Sequence, residues 1–277
     1  MKNLYYFYRS NLKNNLSFIL YGLKSKDFPN LNNNFNINTN LYFINSNLNN
    51  EQKLNIQNCL DEINFPYTYL IHGPPGTGKT STLVELIMQN LVLGKRILVC
   101  SSSNAAVDNL AIRFLEFSNS IGFPYEDYNP VRIGSMISVN KKLDIFKISK
   151  KQERKIIEEK ILKANLDLNS LDANSIHYGT KNDEVRELQD KLTILVNKIV
   201  ADSKLTFGTL TSNLKEEALN GMKWDVLIID EASQSNITEC LIPLKLSKRV
   251  IFAGDDKQLP PVFKSHEGFN KKLVKEF

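Results

Sequence analysis

Gly73-Pro-Pro-Gly-Thr-Gly-Lys-Thr80, preceded by the apolar run Tyr67–His72, is the stretch that decides the fold. It fits the phosphate-binding pattern G-x-x-x-x-G-K-[ST], which joins a strand to a helix. Glycines let backbone N–H groups turn inward around phosphates, and the N-terminus of the following helix adds the positive end of its dipole. The stretch therefore predicts a nucleotide-binding α/β domain, with a strand before the loop and a helix over about Lys79 to Leu93.

The side chains of this loop predict contacts to ATP and Mg²⁺. Lys79 is suited to pair with the β- and γ-phosphates, and the Thr80 hydroxyl is suited to ligate Mg²⁺. The predicted nucleotide-binding residues of the loop are Gly73, Pro74, Pro75, Gly76, Thr77, Gly78, Lys79 and Thr80.

Apolar runs elsewhere in the chain predict further strands. Near-continuous apolar runs are typical of strands that are buried on both faces, in a mostly parallel sheet covered by helices. We expect Trp224 to anchor its strand and His72 to be packed. The runs are Arg96–Cys100, Val131–Ile133, Trp224–Asp230 and Arg249–Ala253, with a helix over about residues 105–117.

Two acidic residues, Asp230 and Glu231, end the run that begins at Trp224. A carboxylate at the C-terminal end of a buried strand lies on the edge where α/β sheets bind ligands. Asp230 is therefore predicted to hold Mg²⁺, and Glu231 to orient or deprotonate the water that attacks the γ-phosphate. Gln258 follows the last strand, and its neutral amide can contact both the γ-phosphate and this water.

The strand signals stop between Lys141 and Val200, where two charged amphipathic stretches predict helices. We expect a helical hairpin inserted into the α/β domain at about residues 141–200. Residues 141–163 contain nine basic and four acidic side chains. This surface is either a contact for a phosphate backbone or a solvated helical face, and the sequence leaves both interpretations open.

The composition excludes several classes of protein. The 277 residues are 42% hydrophobic with a net charge of +5, which permits a nucleic-acid partner without requiring one. Three dispersed cysteines form neither a zinc pattern nor a disulfide framework, which favours a reducing intracellular compartment, nuclear or cytoplasmic. No apolar run approaches the roughly 18 residues of a membrane helix, so we expect no membrane partner.

The first 47 residues differ from the rest of the chain. Fifteen of the first fifty residues are asparagine, and we interpret this tract as a loop rather than a prion-like segment. Helical spacing of apolar residues predicts an amphipathic helix over Tyr5 to Leu23. We assign residues 1–47 to a helical, stalk-like segment and an Asn-rich loop, and residues 48–277 to the ATPase domain.

Four segments in this order resemble the motifs of superfamily 1 helicases, in the branch of the nonsense-mediated-decay RNA helicase, senataxin and the immunoglobulin-mu-binding-protein helicase. The segments are Gly73–Thr80, Ser102–Asp108, Asp230–Gln234 and Gly254–Pro261. The resemblance implies a RecA-like ATPase domain, the first of two motor domains in a 5′-to-3′ helicase. It also implies single-stranded RNA or DNA as the partner.

The resemblance assigns further residues. Gln52, in Leu48-Asn49-x-x-Gln52, matches the glutamine that reads adenine. Ser103 and Asn104 match a loop that touches the nucleic-acid backbone, and Thr209 matches a later motif of the same kind. The residues alone leave open an ordinary helix cap at Ser103 or Asn104 and a plain strand end at Thr209. The helical insertion matches the place where this branch inserts a small helical subdomain.

The sequence departs from the family pattern after Pro261, where sixteen residues remain. They supply neither the second motor domain nor its arginines, and the small β-barrel ahead of the adenine motif is also not found. We therefore expect a second RecA-like domain or a partner chain to be needed for activity. The alternatives are a truncated, non-catalytic ATP- and nucleic-acid-binding module and another kind of phosphate-loop ATPase.

Overall fold

The computed structural model of the protein describes residues 42–61, 67–133, 142–143, 152–171, 176–211, 222–255 and 257–258. The predicted helix over Tyr5 to Leu23 and nearly all of the Asn-rich loop lie outside these residues, so both stay predictions. Among the described helices, none is long and apolar enough to cross a membrane.

Six helices and six strands make up the described part of the chain, and they alternate except where two helices precede two strands between residues 152 and 230. In chain order they are α1 (Asn50–Leu60), β1 (Thr68–His72), α2 (Lys79–Val92), β2 (Ile97–Ser101), α3 (Asn104–Ile121), β3 (Val131–Arg132), α4 (Gln152–Asn169), α5 (Ile176–Ala201), β4 (Leu205–Thr209), β5 (Trp224–Asp230), α6 (Ile237–Leu244) and β6 (Ser247–Gly254). Short 3₁₀ turns occupy Tyr125–Tyr128 and Ala232–Gln234.

The strands form one sheet in the order β1-β6-β5-β2-β4-β3, and every described pair is parallel. This confirms the predicted α/β class with a covered parallel sheet. The carboxyl ends of parallel strands share one edge, so the residues that end β1, β2, β5 and β6 are brought side by side there. The register pairs Ser101 with Asp230, and His72 with Gly254.

Each face of the sheet buries its own apolar core. On one face, α1, α2 and α3 cover alternate strand residues, including Ile97, Val99, Val226, Ile228 and Ile251. On the other face, α6 and the end of α5 cover the intervening residues, including Leu98, Leu227, Ile229 and Val250, and Trp224 at the start of β5 also joins this second core. Trp224 is fully buried, as predicted. Burying one aliphatic side chain contributes roughly 1.5–3 kcal/mol to the stability of the fold. The helices on both faces of the sheet therefore contribute to its stability.

The buried Glu85 of α2 anchors the segment that precedes α1. Its carboxylate accepts hydrogen bonds from the backbone N–H groups of Ile44 and Asn45, at 2.8 and 2.9 Å. Gln89, one turn further along α2, donates to the same carboxylate at 2.8 Å. A buried carboxylate that is paired in this way satisfies its hydrogen-bonding groups, and it fixes the start of α1 against α2.

Helices α4 and α5 lie between β3 and β4 in the chain, where the sequence predicts a helical insertion. They pack against each other, and Lys181 of α5 pairs with Asp167 of α4 at 3.2 Å. Most of their side chains are exposed, but Ile199 and Val200 at the end of α5 join the core. The last turn of α5 therefore packs the helical pair against the α/β domain.

Candidate nucleotide and nucleic-acid site

The loop Gly73–Thr80 connects the end of β1 to the first turn of α2, at the carboxyl edge of the sheet. Its base is tied to the sheet because the Gly73 N–H donates to the carbonyl oxygen of Gly254, at 3.1 Å. Within the loop, the Thr77 hydroxyl donates to the carbonyl of Pro74 at 2.8 Å. The exposed positions of the loop are Pro74, Pro75, Gly76, Thr77 and Thr80.

Helix α2 begins without a side-chain cap, because its N-cap residue is Gly78. The first N–H groups of a helix have no partner within the helix. With the dipole of the helix behind them, such groups form a ready anion site. Gly78 has φ +81°, a conformation that side chains rarely adopt. The loop therefore presents backbone donors, the Lys79 ammonium and the Thr80 hydroxyl at one helix terminus.

Gln52 lies against this loop and joins it to α1. Its Oε1 accepts from the Asn49 N–H at 2.9 Å, and its Nε2 donates to the carbonyl of Thr77 at 3.0 Å. A glutamine amide has two donor hydrogens and two acceptor lone pairs, so one of each remains. One donor and one acceptor are what the N7 and N6 edge of adenine pairs with. A Cβ at Gly78 would lie 2.3 Å from Nε2 of Gln52, so a side chain there would displace the Gln52 amide from the loop.

Asp230 ends β5 on the same edge and is half-buried. Burial raises its pKa to about 6, and repulsion from Glu231 acts in the same direction. The backbone N–H of Glu231, which donates to Asp230 Oδ1 at 2.9 Å, and the charge of Lys79 lower the pKa. The interaction with Lys79 places the phosphate loop and this strand end within electrostatic reach of each other.

The donor set at this edge fits Mg²⁺. Thr80 and Asp230 offer a hydroxyl and a carboxylate, the hard oxygen ligands that this cation prefers. The carboxylate is half-buried beside a second carboxylate, Glu231, so an added cation would offset the desolvation and repulsion that raise the pKa of Asp230. Bound there, Mg²⁺ would neutralise charge on the phosphates. Among the described residues, no cluster of three His, Cys, Asp or Glu side chains forms a separate metal site.

Glu231 has a left-handed backbone with φ 53° and ψ 39°. For a residue other than glycine this conformation costs about 1–2 kcal/mol. Such strain persists where the surrounding structure holds it, and it clusters at functional sites. The left-handed conformation of Glu231 turns the chain sharply between β5 and the 3₁₀ turn Ala232–Gln234, immediately after the metal-binding candidate Asp230.

Gln258 is brought to Gln234, which sequence analysis did not single out. Gln234 Nε2 donates to Gln258 Oε1 at 2.7 Å. The turn that carries Gln234 also contacts the end of β6, because the Asp255 N–H donates to the Ser233 hydroxyl at 3.3 Å. A Cβ at Gly254 would lie 3.1 Å from the backbone nitrogen of Ser233, so glycine allows this close approach. A polar residue four positions after Asp230 was the available signal for Gln234.

Ser103 and Asn104 begin α3 at the same edge. The Ser103 hydroxyl accepts from the Ala106 N–H at 3.1 Å, so Ser103 is the N-cap of the helix. Asn104 Oδ1 accepts from the buried Arg132 at 2.8 Å, and Arg132 Nε also pairs with Asp108 at 2.8 Å. Sequence analysis missed this pair, although an arginine within the apolar run Val131–Ile133 was a signal.

Two further residues at this edge differ in exposure. Thr209 is the buried last residue of β4 and is paired in register with Ser101. The packed position predicted for His72 is wrong, because its side chain is 51% exposed and its Nε2 lies 3.6 Å from Asp255 Oδ1. His72 is the last residue of β1, so its side chain reaches past the end of the sheet.

The raised pKa of Asp230 predicts a pH-dependent stability. Between about pH 3.8 and 6 the folded protein binds the proton that the unfolded chain has released, so the free energy of unfolding falls as pH rises. Asp230→Asn removes this cost. Relative to the wild type, the variant should gain on the order of 2–3 kcal/mol between pH 4 and pH 7. Urea unfolding of both proteins, with nucleotide and magnesium absent, measures the difference.

Asp225, at the other end of β5, is the matched control. Its burial opposes ionisation, but hydrogen bonds from Lys248 and the backbone of Arg96 hold its pKa below the usual value. Asp225→Asn should therefore lose stability relative to the wild type as pH rises. A difference for Asp230→Asn that does not change with pH would contradict the prediction.

Comparison with known proteins finds similarity over most of the chain, including the residues at this edge. A family described as an AAA domain matches residues 47–193 and 177–266. The chain is 33% identical over 246 residues to the DNA polymerase alpha-associated DNA helicase A of Saccharomyces cerevisiae, covering 82% of this chain and 35% of that protein. It is 33% identical over 211 residues to the DNA-binding protein SMUBP-2 of Rattus norvegicus, covering 72% of this chain and 20% of that protein.

The probable helicase senataxin of Mus musculus is 30% identical over 275 residues, covering 75% of this chain and 10% of that protein. The chain spans 35% and 44% of the length of two relatives that it matches, the yeast helicase A and an ATP-dependent helicase of Methanocaldococcus jannaschii. The similarity therefore covers most of this chain and a minor part of each relative.

Proposed function

Because this chain belongs to the superfamily 1 helicases, as a first motor domain of the AAA type, we propose that it binds ATP with Mg²⁺ and couples ATP hydrolysis to single-stranded RNA or DNA. Within the whole protein, this activity would drive 5′-to-3′ unwinding, the direction that the family resemblance implies.

The observation that carries the proposal is the meeting of four elements at one edge of the sheet. The uncapped start of α2 offers phosphate donors, and Lys79 acts on Asp230 across the site. The family motifs assign hydrolysis to Glu231, which directly follows this carboxylate. Gln52 retains the hydrogen-bonding groups that adenine needs, and Gln258 lies against the turn after Glu231 through Gln234.

In this site, the chain's own groups divide the work. Lys79 and the N–H groups of α2 would bind the phosphates, and Thr80 and Asp230 would hold Mg²⁺, which neutralises phosphate charge when bound. Glu231 would accept a proton from the attacking water. Gln258 would contact the γ-phosphate. Its hydrogen bond with Gln234 would then couple the bound nucleotide to the turn that carries Gln234.

The single strand is proposed to run past the start of α3 and the end of β4. Ser103 and Asn104 lie at the N-terminus of α3, where backbone N–H groups suit a phosphate. Arg132 holds the Asn104 carbonyl oxygen, which leaves the amide NH₂ of Asn104 as a donor. Thr209 ends the strand beside β2. Contacts of this kind are to the backbone and do not distinguish RNA from DNA.

A second proposal is a binding module without turnover of its own. In this second proposal, a second RecA-like domain or a partner chain completes the site, as the resemblance to two-domain helicases implies. Motion of two domains around ATP is needed for translocation.

Steady-state ATP hydrolysis by this chain, with and without single-stranded RNA and DNA, tests the proposal. We expect Mg²⁺-dependent nucleotide binding and turnover that single strands stimulate. Binding without turnover would support the second proposal. Absence of any Mg²⁺-dependent nucleotide binding would contradict both.

A further inference from the structure

Ser101, the last residue of β2, carries a buried hydroxyl. The residue is 1% exposed, and its Oγ has no hydrogen-bond partner among the residues that the structure describes. A buried polar group left unsatisfied costs about 1–3 kcal/mol. Such groups are uncommon in folded proteins, so the presence of each one needs a physical explanation. For Ser101, the explanation comes from the residues beside it on the adjacent strands.

The register of the sheet sets Ser101 directly beside Asp230. Ser101 pairs with Asp230 of β5 on one side and with Thr209 of β4 on the other. Paired residues on adjacent strands project from the same face, and the strands lie about 4.8 Å apart. Val99 and Ile228, two residues earlier on each strand, both join the core beneath α2. The hydroxyl and the carboxylate therefore share the face on which the phosphate loop begins.

Asp230 has room to accept a second hydrogen bond. Its Oδ1 accepts from the backbone N–H of Glu231 at 2.9 Å, whereas an ionised carboxylate offers about four acceptor positions. A serine side chain has three staggered rotamers, so its hydroxyl can turn without movement of the strand. Carboxylates that ligate a metal are themselves commonly hydrogen-bonded by a neighbouring group, which orients them.

We propose that Ser101 is a positioning residue of the nucleotide site, whose hydroxyl donates a hydrogen bond to the Asp230 carboxylate when that carboxylate binds magnesium and nucleotide. The inference rests on the proposed function of Asp230. It explains why an unsatisfied hydroxyl is retained at this edge, because the hydrogen bond from Ser101 to Asp230 forms only when nucleotide and magnesium are bound. Without nucleotide, the same hydroxyl lowers the stability of the protein.

Thr206 provides a matched control. Thr206 is fully buried, and its Oγ1 also has no hydrogen-bond partner within the described part of the chain. It lies on the neighbouring strand β4, three residues before Thr209, which is about 10 Å from the carboxyl edge at the rise of a strand. Its partner in β2 is Leu98, on the opposite face from Ser101. Thr206→Val therefore removes an equivalent hydroxyl far from Asp230.

The test compares Ser101→Ala and Thr206→Val with the wild-type chain in two measurements. Urea unfolding without nucleotide and with a chelator should find both variants at least as stable as the wild type, since each loses an unsatisfied hydroxyl. Titration of Mg²⁺ at a fixed concentration of ADP, followed by calorimetry, should then separate them. Ser101→Ala should need about 5- to 20-fold more Mg²⁺ for half-saturation, and Thr206→Val should match the wild type.

Each other outcome has a distinct meaning. Half-saturation for Ser101→Ala within twofold of the wild type would overturn the inference. Loss of stability without nucleotide together with unchanged Mg²⁺ dependence would also overturn it, because the hydroxyl would then be structural. A wild-type chain without Mg²⁺-dependent ADP binding would overturn the proposed function itself, which is a different failure.

Discussion

Replacing Lys79 by alanine is expected to lower ATP hydrolysis by about 10²–10³-fold, the loss that follows removal of one preorganised electrostatic donor. Lys79 is the first residue of α2 and acts on Asp230, so the variant loses the charge that pairs with the phosphates. Alanine is a good helix former, and the fold should be kept. Turnover with and without single-stranded nucleic acid is the measurement, together with binding of a fluorescent ATP analogue.

Lys191→Ala is the control for Lys79→Ala. Lys191 is exposed on α5, and its ammonium pairs with the carboxylate of Glu187, one turn earlier, at 2.7 Å. Its replacement removes the same charge far from the site and should leave turnover unchanged. Turnover by Lys79→Ala within threefold of the wild type would show that the phosphate loop does not carry the chemistry.

Glu231→Gln is expected to bind nucleotide within about threefold of the wild type but to hydrolyse it about 10²–10⁴-fold more slowly. The substitution keeps the size of the side chain and the backbone N–H that hydrogen-bonds to Asp230, and removes only the proton acceptor. Single-turnover hydrolysis and equilibrium binding of ATP, measured on the same preparation, separate the two effects. Loss of binding instead of turnover would contradict the role of Glu231 as general base.

Glu231→Gly tests whether the strained backbone at this position is held for function. Glycine adopts φ 53° at little cost, so this variant should be more stable than Glu231→Gln by about 1 kcal/mol. It should be as inactive as Glu231→Gln, because neither has the carboxylate. Equal stability of the two variants in urea would show that the left-handed conformation stores no strain.

Much of the sheet could be predicted because its strands are continuous apolar runs. The strand Trp224–Asp230 was predicted with the bounds that the structure has, and the helix after the phosphate loop ends one residue earlier than expected. Strand β4 (Leu205–Thr209) was considered only through the alternative of a strand end at Thr209, because Thr206 and Gly208 interrupt its apolar pattern. Its position between β2 and β3 comes from pairing with both neighbours.

Candidate site residues could be predicted where they belong to a local sequence motif. They could not be predicted where their role depends on a hydrogen-bond partner from elsewhere in the chain. Gln234 and Arg132 acquire their roles from Gln258 and Asp108, which lie 24 residues away in each case. His72 was expected in the core because it follows an apolar run. It is exposed because the strand ends there.

The sequence by itself determined the phosphate loop and the helix that follows it. A glycine at φ +81° and the start of α2 are local features that depend on a few adjacent residues. Only the tertiary structure decided that Ser101 lies beside Asp230 and that Gln52 contacts Thr77. Those contacts join residues far apart in the chain, and they depend on strand order and register, which cooperative burial of both faces selects.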